Sequence, residues 1–151
     1  VGVVKEVLNV TRDIIVMGSI WKINKIQNIK ETLHSFPTSE MELEYLFDLG
    51  KKSQKNFSEE YRTKKNFIPG CISNAWIKIL NEDPIQIVTV SDSLLVSGLL
   101  YLLEEAFNGE PKSSIDGYDG QDLIGDMGLQ GTISSQRLRG VATAIEMMKQ
   151  W

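Results

Sequence analysis

Between Ser91 and Gly109 the chain reads SDSLLVSGLLYLLEEAFNG, enough for a helix of about five turns. Its polar positions reduce to one stripe: Ser97, Tyr101, Glu104 or Glu105, and Asn108. A helix so apolar around its circumference cannot lie on a surface, so the rest of the chain must pack around it. Ser91 or Asp92 is the expected N-cap, Gly109 a left-handed stop, and Pro111 a first-turn residue of the next short helix.

The flanking sequence supplies the covering elements. Ile26, Ile29 and Leu33 fall at helical spacing over residues 26–36, and Pro37 ends that helix because it cannot continue the hydrogen-bond ladder. Ser39 and Glu42 form a capping-box pair opening a second helix, with Leu43, Leu46 and Phe47 on its apolar stripe and Lys51 and Lys52 near its C-terminal end. Ser58 caps a further turn. Residues 72–80 and 85–90 read as two strands joined by Asn81-Glu82-Asp83-Pro84, a β-hairpin that takes Trp76 into the core. A short helix over 122–127 ends at Gly128, and Ser134 caps a last helix whose Leu138, Val141, Ala142, Ile145 and Met148 share one face. Runs of helices on either side of one hairpin predict an α+β domain, since a parallel sheet would need strands alternating with helices.

Counts of rare residues then exclude several functions. With one cysteine, Cys71, and one histidine, His34, the chain by itself forms no disulfide, no four-ligand Cys/His zinc site and no iron-sulfur cluster. No cofactor is expected. A reducing compartment fits a lone thiol, and the cytoplasm is the expected location. The 151 residues are one domain's worth, and a net charge of -4 without a Lys/Arg-rich face gives no footprint for a phosphate backbone, so no nucleic-acid partner is expected. Polar residues interrupt the apolar stretch from Leu94 to Phe107, so no membrane span is expected. The opening residues begin with Val and lack the basic region of a secretory signal, and residues 1–25 are expected to be an extension of unassigned role. The alternative is an organellar transit remnant, which would place the protein in a stroma or matrix.

As a residue type, free cysteine usually packs as a small hydrophobe. Cys71, however, follows Pro69-Gly70 on a turned loop just before a strand, where exposure is easier than inside an element. Both readings stand on the residues alone. A cysteine hydrolase would need His34 as its base, and that residue lies in an early amphipathic helix far along the sequence. The pairs Glu59/Glu60 and Glu104/Glu105 read as solvated helix faces rather than acid-base pairs. Asp116, Asp119 and Asp122 depart from calcium-loop spacing and read as turn chemistry.

Ile68-Pro-Gly-Cys-Ile-Ser-Asn-Ala-Trp-Ile77 resembles the V-P-G-C-x-S-x-V-W-[ILV] signature of the SufE family, the sulfur-acceptor proteins of iron-sulfur cluster assembly. Further blocks agree in order and spacing. Glu44 to Gly50 is similar to the Y-L-I-E-L-G helix, and Ser91 to Leu100 to S-D-A-x-[IL]-V-x-G-L-[LI]. Phe107-Asn108-Gly109 is similar to the Y-N-G stop, and Gly128-Leu129 with Ile133 to Gly140 resembles G-L...L-[ST]-[PA]-S-R-x-x-G-L. The match spans residues 26–151. Ala75 replaces Val, Gln136 replaces Ser, and Leu138-Arg139 is bulkier and more basic than the usual pair.

The resemblance implies a small antiparallel sheet packed against helices, as in SufE and IscU-type proteins, with Cys71 on a loop at one end. It implies that Cys71 takes persulfide sulfur from a pyridoxal-phosphate-dependent cysteine desulfurase of the SufS or CsdA kind, stimulates that enzyme, and relays sulfur to a SufBCD-like scaffold. A carrier of this sort is not a stand-alone catalyst. It borrows catalytic groups from its partner, which agrees with the missing base. Supporting positions would be Arg137, Asp92, Gly70 and Ser73; Arg137 either steadies the sulfur anion or forms a salt bridge with Asp92 or another acid. Two other readings stand beside it: a regulatory module that docks on a desulfurase without transferring sulfur, and a redox-active thiol protein.

Overall fold

The computed structural model describes residues 25–129, 131 and 133–151. The expected extension thus lies outside the described residues except for Lys25, which stands in the first helix with its ammonium 2.8 Å from Glu110. Helix α1 occupies residues 25–34 and buries Ile26, Ile29 and Leu33. Helix α2 (Ser39–Asn56) is followed by two 3-10 turns, Glu59–Tyr61 and Lys64–Asn66. Strands β1 (Ala75–Asn81) and β2 (Gln86–Ser91) pair antiparallel, from Ala75 opposite Ser91 to Asn81 opposite Gln86, with an irregularity between Ile79 and Asn81. Four helices complete the chain: α3 (Leu94–Phe107), α4 (Ser113–Asp116), α5 (Gly120–Asp126) and α6 (Ser135–Lys149). This is the α+β arrangement the sequence predicts.

Helix α3 is central, packing on α2, on β2 and on α6. Leu99, Leu100, Leu103 and Phe107 have no exposed surface. Its approach to α2 is set by two glycines. A β-carbon at Gly50 would strike the Leu94 carbonyl oxygen and one at Gly98 the Leu46 carbonyl oxygen, so the two backbones meet where neither has a side chain.

Ser97, Glu104 and Asn108 of the polar stripe turn toward strand β2 rather than water. Among the described residues strand β2 pairs with β1 alone, and the outward amide groups of its alternate residues are met by side chains instead of a third strand. Asn108 Oδ1 accepts from the Ile87 N–H at 2.8 Å and its Nδ2 donates to the Ile87 carbonyl at 3.1 Å. The Thr89 N–H donates to Glu104 Oε2 at 3.1 Å, and the Thr89 carbonyl accepts from Ser53 Oγ at 2.6 Å. At Ser91 the N–H donates to Ser97 Oγ at 2.7 Å, while the carbonyl accepts from Ser97 Oγ at 2.8 Å and from Gln54 Nε2 at 3.1 Å. Glu104 is therefore not on a solvated face as expected. Only its neighbour Glu105 is exposed there.

Several boundaries differ from expectation. Thr38, not Ser39, caps α2, its hydroxyl accepting from the Met41 N–H at 3.2 Å. Ser93, not Ser91 or Asp92, caps α3 through the Val96 N–H at 3.3 Å, because Ser91 is consumed by the strand. Asp119 caps α5 and starts it before Asp122. Strand β1 begins at Ala75 rather than Ile72, since residues 72–74 belong to the loop. Trp76 is half-buried rather than core: strand alternation sends Ala75 and Ile77 inward and turns Trp76 out.

Candidate functional site

The loop carrying Cys71 is closed at its base by the sheet. The Ile68 N–H donates to the Ala75 carbonyl at 2.8 Å, and Phe67 bridges Trp76, with Ile68 and Ala75 fully buried beneath. Pro69 and Gly70 turn the chain, Gly70 taking φ +76°, a left-handed angle that a β-carbon resists. The other end is tied by Asn74, whose carbonyl accepts from the Asp92 N–H at 3.0 Å and from Ser91 Oγ at 2.9 Å. The loop is thus suspended between two fixed points.

Within this loop Cys71 is half-buried and reduced, Ser73 is half-buried, and Ile72 is 60 % exposed. The thiol rests on α6. A β-carbon built on Gly140 would stand 2.5 Å from Cys71 Sγ, so only glycine lets the loop settle there. One built on Gly70 would stand 3.8 Å from Cδ of Arg139, whose stem lies along the loop. Arg137 is three residues before Gly140, hence on the same side of the helix one turn earlier, and it is exposed. Among the described residues neither arginine has an acidic partner.

Asp92 is not joined to Arg137. Its carboxylate is 2.9 Å from Nη1 of Arg62, whose guanidinium carbon lies 4.8 Å from the Trp76 ring centroid and whose Nε is 3.1 Å from Glu59. The Phe67 ring meets Trp76 edge-on at 6.0 Å between centroids. Arg62, Trp76 and Phe67 thus form a mixed apolar and charged surface at the base of the loop, and the loop itself carries the exposed Ile72. Sequence reasoning missed Arg62, since it lies outside every motif; the Arg-Trp stack depends on strand β1 turning Trp76 outward.

His34 Nε2 is 3.4 Å from the Gly128 carbonyl oxygen, and no histidine-thiol pair forms among the described residues. Nor do three or more His, Cys, Asp and Glu side chains converge there as a metal site. A groove of about 460 Å³ lies along β1, lined by Lys65, Lys78, Asn81 and Trp151 among others, without Cys71. What remains is a half-buried thiol on a turned loop, with the Arg139 stem beside Gly70 and no histidine beside it among the described residues. Such a thiol suits exchange with a sulfur donor that brings its own proton-handling groups.

No described helix is long and apolar enough to cross a membrane. The solution structure of a hypothetical protein from Thermus thermophilus has the same fold, with a TM-score of 0.65 at 17% identity over 83% of this chain and 91% of that one. The chain is 30% identical to an uncharacterized SufE-like protein of Rhizobium etli over 70% of its own length and 74% of the relative's. It is 28% identical to the cysteine desulfuration protein SufE of Wigglesworthia glossinidia brevipalpis, covering 86% and 88% of the two chains. The chloroplastic/mitochondrial SufE-like protein 1 of Arabidopsis thaliana is 27% identical over 83% of this chain but 34% of that protein. The family model SufE, an Fe-S metabolism associated domain, matches residues 27–151, and the chain belongs to that family.

Proposed function

We propose that this protein is a sulfur acceptor working with a cysteine desulfurase. Family membership supports a role in sulfur transfer, and one observation carries the finer reading: the sole cysteine sits on a turned, tethered loop against Gly140 with no histidine beside it. The Cys71 thiolate attacks the terminal sulfur of the desulfurase persulfide. A sulfur-sulfur bond forms at Cys71, the donor's sulfur-sulfur bond breaks, and the donor cysteine leaves as a thiolate. The cargo then passes to a SufBCD-like scaffold. Docking also stimulates the desulfurase.

In this scheme Gly70 gives the loop its turn, Ser73 lies within the loop, Asp92 fixes its far end through its own N–H, and Arg137 holds the sulfur anion from α6. The exposed Ile72 and the Arg62-Trp76 stack supply the docking face. Residues 26–151 form the acting domain. A single thiol that must stay reduced points to the cytoplasm, or to a stroma or matrix if the first residues are a transit remnant.

Incubation with the cognate desulfurase and cysteine should add one sulfur mass to Cys71, detected by intact-protein mass spectrometry. An unmodified Cys71 beside an active desulfurase would overturn the proposal. Cys71→Ser separates the readings: a docking regulator keeps its stimulation, an acceptor loses it. A redox thiol protein would instead show a peroxide-sensitive Cys71 that ignores the desulfurase.

A further inference from the structure

We infer that Arg139 is a second anion-holding residue of the Cys71 site, placed by its stem against Gly70 and distinct from Arg137 on the helix face below the thiol. Gly140, next to Arg139 in the chain, touches Cys71, and the Arg139 side chain leaves α6 toward the loop, its Cδ 3.8 Å from where a Gly70 β-carbon would be. The Arg139 stem thereby passes beside the Gly70 turn, while Arg137 lies one turn nearer the N-terminus of α6.

Competing anions near Arg139 are already engaged. Arg139 shares a groove of about 430 Å³ with Asp119 and Glu146. Asp119 accepts from the N–H groups of Gln121 and Asp122 at 2.8 and 3.4 Å, and Glu146 accepts from the Gly120 N–H at 3.2 Å with Lys149 3.6 Å away. Neither forms an ion pair with Arg139. An exposed guanidinium without an acidic partner is free to turn to an anion arriving at Cys71.

The use of this charge rests on the persulfide reading. A persulfide is a stronger acid than its parent thiol, so the loaded residue exists largely as the anion Cys71-S-S⁻, one atom longer than the thiolate. The added sulfur extends the anion one atom beyond Sγ, and Arg139, whose stem passes the neighbouring Gly70, is the cation we infer to meet it. A second cation there favours the loaded over the unloaded state, and the bond changes are those already given.

The test needs no desulfurase. Cys71 is alkylated in parallel with iodoacetate, an anion, and iodoacetamide, which is neutral, and the two rates are followed by mass spectrometry. Their ratio cancels loop opening and thiol ionisation, leaving the local charge. Arg139→Gln should lower the iodoacetate/iodoacetamide ratio about three- to tenfold at low salt, the effect of one charge within several ångströms of the sulfur in a partly solvated setting. Arg139→Lys should keep most of the wild-type ratio, and added salt should lower the wild-type ratio toward that of Arg139→Gln. A ratio unchanged in Arg139→Gln, or lowered equally in Arg139→Lys, overturns the inference. Because Cys71 is read directly, a missing sulfur adduct would defeat the persulfide reading and leave this result standing on its own.

Discussion

Asn108 lies across Ile87 as a residue of a third strand would, accepting from its N–H at 2.8 Å and donating to its carbonyl at 3.1 Å. Asn108 ends α3 with its backbone N–H on the Glu104 carbonyl, while its side-chain amide closes the hairpin edge at Ile87. Asn108→Leu should leave both buried peptide groups of Ile87 without partners and destabilise the fold by about 2–4 kcal/mol, whereas Asn108→Asp, which sets a carboxylate oxygen against the Ile87 carbonyl, should cost at least as much at neutral pH and less in acid, where the protonated carboxyl donates. Urea unfolding of the two variants checks the order.

Glu104, further back on the same stripe, ties stability to pH. Burial pushes its carboxyl from 4.5 up to about 7, the hydrogen bonds from Thr89 pull it down, and repulsion from Glu105 adds to the rise. Across this interval the folded chain keeps a proton that the unfolded chain has released. The contribution is therefore fully present below 4.5 and is lost as pH rises toward 7, about 3 kcal/mol in all. Glu42, raised by burial, slopes the same way. Denaturant melts from pH 4.5 to about 7 should show stability falling through this window, with a visibly flatter profile for Glu104→Gln.

At the crossing of α2 and α3, Gly98→Ala would drive a methyl group into the Leu46 carbonyl oxygen. Helix propensity favours alanine by about 1 kcal/mol, but backbone has no rotamer by which to yield, and the substitution should cost about 3 kcal/mol or more. Thermal unfolding measures it; a neutral or stabilised variant would show that the helices separate freely.

Gly140→Ala tests the seat of the thiol. Its methyl group would stand 2.5 Å from Cys71 Sγ, and the loop is easier to move than the helix. Stability should change little, a loss of about 0–2 kcal/mol, because the helical gain offsets part of the crowding. Alkylation of Cys71 by iodoacetamide should meanwhile quicken about threefold or more as the sulfur is pushed off α6. Unfolding and alkylation measured on one preparation separate the two effects.

Much of this was legible in the residues. The apolar girth of the segment from Leu94 to Phe107 required a central helix, Pro37 and Gly109 marked stops, and the alternation around Ile77 and Ile87 gave a hairpin. Cys71 on its Pro-Gly turn, with the ordered blocks around it, pointed to both the candidate site and the family. These are properties of local chain chemistry: backbone angles, helical and strand periods, and the nucleophilicity of one thiol.

Only the tertiary structure decided where polar groups point. Ser97, Glu104 and Asn108 make an ordinary polar stripe along a helix, and nothing local distinguishes a stripe facing water from one facing an unpaired strand edge. The hairpin lies against it, so burial makes each hydrogen bond obligatory. Likewise Asp92 was free to meet any cation; strand β1 turns Trp76 outward, Arg62 stacks on it, and Asp92 is taken before Arg137 can reach it. Sequence determined that this protein has one cysteine and a Pro-Gly turn to carry it. The long-range contacts of α6 determined what lies under that sulfur, because the approach of Gly140 and Arg139 to the loop is fixed by packing between segments about seventy residues apart.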